Sequence, residues 1–233
     1  PSESFDKAQE ASKMAAMGQL ASAVAHEIRN PLNGIKGAQD ILFETISPVR
    51  KEYRFVEVVK KETARLEDIV TEFLDFARPR APRRIQANVL HALRAVADLS
   101  EQHATIRGVS LTVDESCADL CALMDPDQIR QALLNLLLNA IDACEPGGAV
   151  TLAARPEPGG AVIVVRDNGA GIAPGEQDRI FEPFHTTKSR GTGLGLAVCR
   201  SIARAHGGTI SVQSAPGQGA AFILFLPDPE RSE

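Results

Sequence analysis

A histidine with an acid directly after it and an amide one helical turn further on stands in the stretch Ala25-His26-Glu27-Ile28-Arg29-Asn30-Pro31. A neutral imidazole becomes a good nucleophile once a neighbouring carboxylate orients one ring nitrogen and accepts its proton, leaving the other nitrogen free to attack. His26 is therefore the candidate site of chemistry. The surrounding pattern is helical, with Met17, Leu20, Val24, Ile28, Leu32, Ile35 and Leu42 spaced three or four apart, as one buried stripe requires. His26 lies two residues past Val24, about 200° round the helix at ~100° per residue, and is expected to point away from that stripe. Asn30 shares its face, and Glu27, one position round, reaches the ring edge. A solvated histidine on a charged helix face fits the same residues, and this stretch alone leaves the two readings open.

Four segments further along carry polar or glycine residues that a plain packed domain does not need. Asn135 and Asn139 sit one turn apart on an otherwise apolar helix. A buried amide must find a partner, and a hard cation takes carbonyl oxygens well, although an amide pair capping a neighbouring strand is equally consistent. Asp167-Asn168-Gly169-Ala170-Gly171-Ile172 follows a strand. Its carboxylate can accept an exocyclic amine while Gly169 and Gly171 let backbone approach a flat ring, or the segment is a simple turn. Phe181-Glu182-Pro183-Phe184-His185-Thr186-Thr187-Lys188 reads as a lid whose Lys188, helped by Arg190 just past Ser189, meets phosphate oxygens. Gly191-Thr192-Gly193-Leu194-Gly195-Leu196 opens a helix, where free amide donors make a phosphate seat. This glycine run is neither the dinucleotide fingerprint nor a P-loop: no βαβ unit with a following acid surrounds it, and no Gly-Lys-Ser/Thr closes it.

These residues need two kinds of scaffold. From about Ser4 to Glu44 the pattern is helical, with a kink rather than a stop at Pro31, because the stripe continues beyond it. Ile46-Ser47-Pro48 turns into a second helix striped by Phe55, Val59, Leu66, Ile69, Phe73 and Phe76. Such a hairpin has an apolar seam to bury, so pairing with a second copy into a four-helix bundle is expected, the alternative being packing on the rest of its own chain. Arg78-Pro79-Arg80-Ala81-Pro82-Arg83-Arg84 ends the second helix, giving a hairpin domain over 1–79, a linker over 80–84 and a second domain over 85–233. That domain reads as strand Ile85–Ala87, a helix from an Asn88 cap to about His103, and strands Val109–Val113 and Leu120–Met124. Next come a helix from Asp127 to Ala143 capped by Asp125, and strands Ala149–Ala154 and Ala161–Arg166 around a Gly159-Gly160 turn. A helix near Leu194–Ala205 and strands Thr209–Ser214 and Ala220–Leu226 complete it. The expected architecture is an all-helical hairpin followed by a two-layer α/β sandwich, helices on one face of a mixed sheet.

Composition narrows the function classes. The 233 residues are 44% hydrophobic and 24% charged, ordinary for globular protein, with no Trp and one Tyr, which speaks against aromatic stacking platforms for nucleic acid. Of 25 Lys+Arg and 30 Asp+Glu, 14 and 13 lie up to Arg84, leaving 11 and 17 for the rest, an acidic balance that disfavours nucleic acid as a partner. Cys117, Cys121, Cys144 and Cys199 lack a complete metal-ligand spacing and read as buried reduced thiols, as in a cytoplasmic protein. No run of about 18 apolar residues suggests membrane contact by this segment. The chain opens at Pro1 within a helical pattern, so a longer parent with an upstream sensor or membrane region is expected.

With His26 and the four segments in this order, the chain resembles a bacterial two-component sensor histidine kinase along nearly its whole length. Ala25–Pro31 looks like the family's phospho-acceptor box, Asn135–Ala143 its asparagine box, Asp167–Ile172 its first glycine box, Phe181–Phe184 its phenylalanine box and Gly191–Leu196 its second glycine box. Phe184–Lys188 and the short lid look most like the nitrogen-regulation and metal-stress branch. The sandwich is then of the histidine-kinase, gyrase and chaperone type. The resemblance implies that His26 takes the γ-phosphoryl group of ATP with Glu27 as base, that Asn139 ligates Mg2+ with Asn135 in support, and that Asp167 reads the adenine amine. Lys188 and the amides of Gly193 to Leu196 would hold the phosphates, with Thr186, Thr187, Ser189, Arg190, Gly191 and Thr192 around them. Asn30 would orient water to dephosphorylate a response-regulator receiver domain. The chain departs from some relatives at Asp142, where they carry a phosphate-contacting lysine; this throws more of the charge compensation onto Lys188 and Arg190. The rival readings are a clamp-type ATPase sharing the nucleotide fold and a non-enzymatic phosphotransfer scaffold.

Overall fold

The computed structural model describes residues 25, 27–47, 50–77, 80–116, 118–188 and 191–228, in two compact units, Pro1–Arg80 and Ala81–Glu233. His26, Met17, Leu20, Val24, Cys117, Ser189 and Arg190, and the side chain of Phe76, lie outside the described residues.

In the first unit, residues 27–45 form helix α1 and Tyr53–Ala77 form α2. Helix α1 runs through Pro31 without a stop. The turn is closed by Ile46 N donating to Leu42 O (2.9 Å) and Arg50 N to Ser47 O (2.9 Å). The helices run antiparallel: Leu32 packs with Val70 and Leu74, Lys36 pairs with Glu67 at 3.1 Å, and Phe43 lies 5.0 Å from the Tyr53 ring and beneath Lys60.

The buried strip differs from the expected one. Ala25, Leu32 and Gln39 on α1 and Val56, Thr63, Val70 and Ala77 on α2 are buried, each set stepping by seven residues as a coiled-coil seam does. Of the expected stripe's described residues, only Leu32 is among them. Ile28, Ile35 and Leu42 stay exposed, and so do Phe55, Val59 and Leu66. Two helices can cover only one narrow strip on each other, and small or slender residues took it. Ile28, Ile35 and Leu42 on α1 and Val59 and Leu66 on α2 form a second seven-residue series that the hairpin leaves exposed, with Phe55 one turn before Val59. Two buried polar groups share the inner seam: Thr63 returns its hydroxyl to Val59 O at 2.8 Å, and Gln39 Oε1 has no partner among the described residues.

The second unit is a sandwich. Strands β1 (Ile85–Asn88) and β3 (Cys121–Met124) make a small antiparallel pair. Strands β2 (Ser110–Val113), β4 (Ala149–Glu157), β5 (Gly160–Asp167), β6 (Thr209–Ser214) and β7 (Ala220–Pro227) form a sheet in the order β2-β4-β5-β7-β6. Only β2–β4 is parallel, so the sheet is mixed as expected, but β1 and β3 stand apart from it. Helices α3 (Val89–Arg107), α4 (Pro126–Ala143) and α5 (Gly195–Ala205) pack side by side with α4 in the middle. Ile129, Leu133, Leu136, Leu137 and Ile141 of α4 are wholly buried, and so are Leu152 of β4 and Ile163 of β5, the strands on which α4 packs. At ~1.5–3 kcal/mol per large apolar side chain, this stripe is what pins α4 to the sheet.

The caps follow from the residues. Asn88 Oδ1 accepts from His91 N (3.0 Å), and Asp125 Oδ1 accepts from Asp127 N (3.1 Å) and Gln128 N (3.3 Å), with Pro126 in the first turn. Helix α3 runs on to Arg107, past the expected end at His103, and stops at Gly108. Strands β4 and β5 extend to Pro158-Gly159, so the turn lies one residue earlier than expected. Arg83 N donates to Asp125 Oδ2 (2.9 Å), and the Arg84 guanidinium donates to His206 O (3.3 Å), fastening the start of this unit to the ends of α4 and α5. His206 is fully buried; its Nε2 accepts from Asp125 N (3.0 Å), so Nδ1 carries the proton toward Ile202 O (2.8 Å).

Candidate active site

The phospho-acceptor stretch is described apart from its histidine. Ala25 is buried in the hairpin seam, while Glu27 and Asn30 are exposed on α1. Glu27 and Asn30 lie two and five positions past the seam residue Ala25, about 200° and 140° round the helix at ~100° per residue, so both stand on the side away from the seam.

In the second unit the polar segments converge on the C-terminal half of α4. Asn135 donates from Nδ2 to Gly195 O at 3.3 Å, tying α4 to the first residue of α5. Its partner is thus the second glycine segment, not a strand. One turn on, Asn139 Oδ1 accepts from Lys188 Nζ at 3.0 Å, and Asp142 Oδ2 accepts from the same ammonium at 3.0 Å. Two hard oxygens from one helix face therefore meet on a single cation, and this donor chemistry is the kind that suits Mg2+.

Asp142 is held from behind. Its Oδ1 lies 3.1 Å from His103 Nε2, and Arg107 Nη2 donates to Asp142 O at 3.1 Å. Burial alone would raise the Asp142 carboxyl, but the hydrogen bonds and charges of Lys188 and His103 outweigh it and hold the group below the usual carboxylate range. His103 and Arg107 were not legible as site residues: a histidine and an arginine one turn apart on an amphipathic helix carry no motif.

The first glycine segment lies against the C-terminal end of α4. Asp167 is 5% exposed, and its Oδ1 accepts from Gly169 N (2.8 Å) and Ala220 N (3.2 Å). Burial pushes this carboxyl up, only partly offset by those two amides, and Oδ2 takes no part in either bond. The loop is pinned on three sides: Ala170 N donates to Ala143 O (3.2 Å), Gly217 N to Ala170 O (2.7 Å), and Ile172 N to Ser214 Oγ (2.8 Å). At Gly171 the backbone has φ 71° and a Cβ would lie 2.0 Å from Ala215 O, so no other residue fits. Ser214 and Gln177, which hold this loop through Ile172, are further residues that the sequence did not signal.

The lid segment is anchored at its stem. Phe181 is buried edge-on to Phe222 at 6.3 Å, and Phe184 N donates to Gly193 O at 3.0 Å. Phe184 adopts φ 65°, a left-handed conformation uncommon for a bulky residue, and Gly193 packs directly on its backbone: a Cβ at Gly193 would lie 2.5 Å from the Phe184 carbonyl carbon. Within the loop, Thr186 Oγ1 accepts from Lys188 N (3.1 Å) and Gly191 N donates to Lys188 O (3.2 Å), while Thr187 is exposed. Thr192 Oγ1 accepts from Leu194 N (3.2 Å).

Helix α5 starts without a side-chain cap. Its first intrahelical bond is from Val198 N to Leu194 O (2.8 Å), so the amides of Gly195, Leu196 and Ala197 have no intrahelical acceptor. Together these parts offer a carboxylate acceptor at the end of β5, amide donors at a helix start and a lid ammonium, the set that a nucleoside polyphosphate needs. Free Cys144 and Cys199 are buried and Cys121 is half-buried; burial pushes the Cys199 thiol up to about 12, so it takes no part as a thiolate. No helix among the described residues is long and apolar enough to cross a membrane.

Comparison with known proteins agrees with this geometry. Residues 16–82 match the His Kinase A (phospho-acceptor) domain, and residues 124–230 match the histidine kinase-, DNA gyrase B-, and HSP90-like ATPase. The chain is 40% identical over 228 residues to the sensor histidine kinase ZraS of Escherichia coli (strain K12), covering 95% of this chain and 48% of that protein. It is 38% identical over 221 residues to the signal transduction histidine-protein kinase AtoS of the same organism, covering 94% of this chain and 36% of that one. The chain thus spans about half or less of the length of these relatives. Among solved structures it is similar to full-length ShkA in complex with AMPPNP, at TM-score 0.80 and 30% identity over 91% of this chain and 47% of that one. It is also similar to the histidine kinase ThkA in complex with the response regulator protein TrrA, at TM-score 0.69 and 27% identity over 98% and 67%. A phospho-acceptor hairpin followed by an ATP-binding sandwich, in that order and along nearly the whole chain, places it in the family of two-component sensor histidine kinases.

Proposed function

We propose that this chain is a protein-histidine kinase core that binds Mg-ATP in its second unit, moves the γ-phosphoryl group onto His26 and passes it to an aspartate of a response-regulator receiver domain. The observation that carries the reading is the convergence of Asn139 and Lys188 on one face of α4, beside the uncapped start of α5. In this reading Asp167 accepts the adenine amine through Oδ2, the amides of Gly195 to Ala197 and the Lys188 ammonium take the phosphates, and Asn139 Oδ1 takes Mg2+. Asn139 would give Mg2+ one oxygen, and the ion would supply charge neutralisation for the phosphates.

At the acceptor, one imidazole nitrogen of His26 attacks the γ-phosphorus, the bond to the ADP oxygen breaks, and Glu27 takes the proton from the other ring nitrogen. Asn30, exposed on the same helix, would position water for dephosphorylating the regulator. The exposed series Ile28, Ile35 and Leu42 with Val59 and Leu66 supports a homodimeric four-helix bundle, in which a second hairpin covers it. A clamp-type ATPase has no use for the hairpin that matches the phospho-acceptor domain.

The test is incubation with γ-labelled ATP and Mg2+. Acid-labile, alkali-stable label is expected on the wild type and on neither His26→Ala nor Asn139→Ala, both still folded by circular dichroism. Undiminished label on a histidine in His26→Ala would refute the assignment.

A further inference from the structure

We propose that Asn139 and Asp142 form a two-oxygen seat that the Lys188 ammonium and Mg2+ occupy in turn, so that Asp142 determines how strongly nucleotide binding depends on the metal. This rests on the nucleotide reading of the site given above and adds to it a role for Asp142.

Lys188 Nζ is 3.0 Å from Asn139 Oδ1 and 3.0 Å from Asp142 Oδ2. Asn139 Oδ1 is the oxygen assigned to the metal, so the ammonium and the metal draw on one atom. A metal ligates oxygen at ~2.0–2.1 Å, which would leave it within a few ångströms of the ammonium, and like charges that close exclude one another. Occupation by one therefore expels the other.

Two features make the exchange easy. The Lys188 and Asp142 side chains are 42% and 35% exposed, so their pairing is solvent-screened and weak. Lys188 also sits within a loop whose stem is closed by Phe184 N and Gly193 O at 3.0 Å, so the ammonium can swing while its base stays fixed. Asp142 stays behind, because His103 Nε2 at 3.1 Å and Arg107 at the backbone carbonyl anchor it to α3. Released, Lys188 becomes available to the phosphates; seated, it is withheld from them. A lysine at position 142 could do neither, since it would repel both cations, whereas an aspartate attracts both.

The test is calorimetric titration of ADP with and without Mg2+ into the whole chain, wild type, Asp142→Asn and Lys188→Met, reading the factor by which Mg2+ tightens ADP. Exchange predicts that Asp142→Asn binds metal-free ADP a fewfold tighter, because Lys188 is no longer held back. Its Mg2+ factor falls about fivefold or more as one seat oxygen loses its charge. In Lys188→Met the factor rises a fewfold, because the competing cation is gone. If Lys188 were only a phosphate contact, its loss would weaken ADP equally with and without Mg2+, and an unchanged factor in both variants overturns the exchange. Should wild type bind no ADP even with Mg2+, the nucleotide reading falls and the exchange with it; binding with an unmoved factor sinks the exchange alone.

Discussion

Asp167→Asn separates recognition from folding at the adenine wall. The side chain is 5% exposed and its Oδ1 accepts from Gly169 N and Ala220 N at 2.8 and 3.2 Å, bonds that an asparagine carbonyl oxygen can keep. What changes is Oδ2, which becomes an NH2 donor. Facing the exocyclic amine of adenine, it exchanges a charge-assisted hydrogen bond, about 1.5–3 kcal/mol, for two donors that leave each other unsatisfied, about 1–3 kcal/mol. A loss of roughly 3–5 kcal/mol corresponds to ~10²–10³-fold in ADP affinity or more. Hypoxanthine presents an acceptor at the same ring position, so IDP should bind the variant better than ADP, reversing the wild-type order.

The unliganded fold should not suffer. Burial raises the folded-state Asp167 pKa above its unfolded value, so the ionised carboxylate counts against the folded state, and that penalty is present at all pH above the raised value. Asparagine removes the penalty while keeping both backbone bonds, so urea stability at pH 7 should be unchanged or slightly higher. Its variation between pH 4 and pH 7 should shrink. Calorimetry with ADP and IDP, beside urea denaturation at both pH values, tests this. Equal loss of both nucleotides, or a clear loss of stability at pH 7, would refute the assignment of Oδ2 to base recognition.

Other expectations follow from the same geometry. Asn30→Ala, exposed on α1, should keep autophosphorylation and lose most dephosphorylation of a phosphorylated regulator; equal loss of both rates would count against water positioning. Leu66→Asp puts a charge into the exposed seven-residue series without touching the inner seam, and sedimentation should show the dimer weakened at least tenfold with helix content retained. Gly193→Ala meets both a φ of 69° and the Phe184 carbonyl carbon at 2.5 Å, a cost of at least ~1–2 kcal/mol. Nucleotide affinity should fall about tenfold or more, and the unit should melt some 2–8 °C lower by calorimetry.

The order of elements in the second unit was legible because its signals are local. Asn88, Asp125 and Pro126 announce helix starts, and the apolar run of α4 can only be a buried helix. Asn135, Asn139 and Asp167 stood out as polar groups that such a core must satisfy. Their partners were not legible. Asp142 is joined to Lys188 across 46 residues and to His103 across 39, and no spacing rule connects positions that only packing brings together. The asparagine at 135 turned out to brace α5 instead of a strand for the same reason.

The hairpin shows a different limit. Apolar residues three or four apart predicted one stripe, but the inner seam took Ala25, Gln39 and Thr63 and left Ile28, Ile35 and Leu66 outside. Periodicity reports how many apolar residues a helix carries on a side; it does not say which of two partners will cover them. Short strands fared better than their ends: Arg155-Pro156-Glu157 has no apolar alternation, yet it continues β4 because β5 supplies the pairing.

The central claim is that the nucleotide held by the second unit loses its γ-phosphoryl group to one imidazole of the first. Tandem mass spectrometry under neutral to alkaline conditions, after incubation with ATP and Mg2+, measures this directly. The account predicts one phosphoryl group on the peptide containing Ala25 to Pro31, fragmenting to the His26 ring. Phosphate on a serine, threonine or aspartate, or ATP consumed with no phosphate retained by the chain, would contradict it.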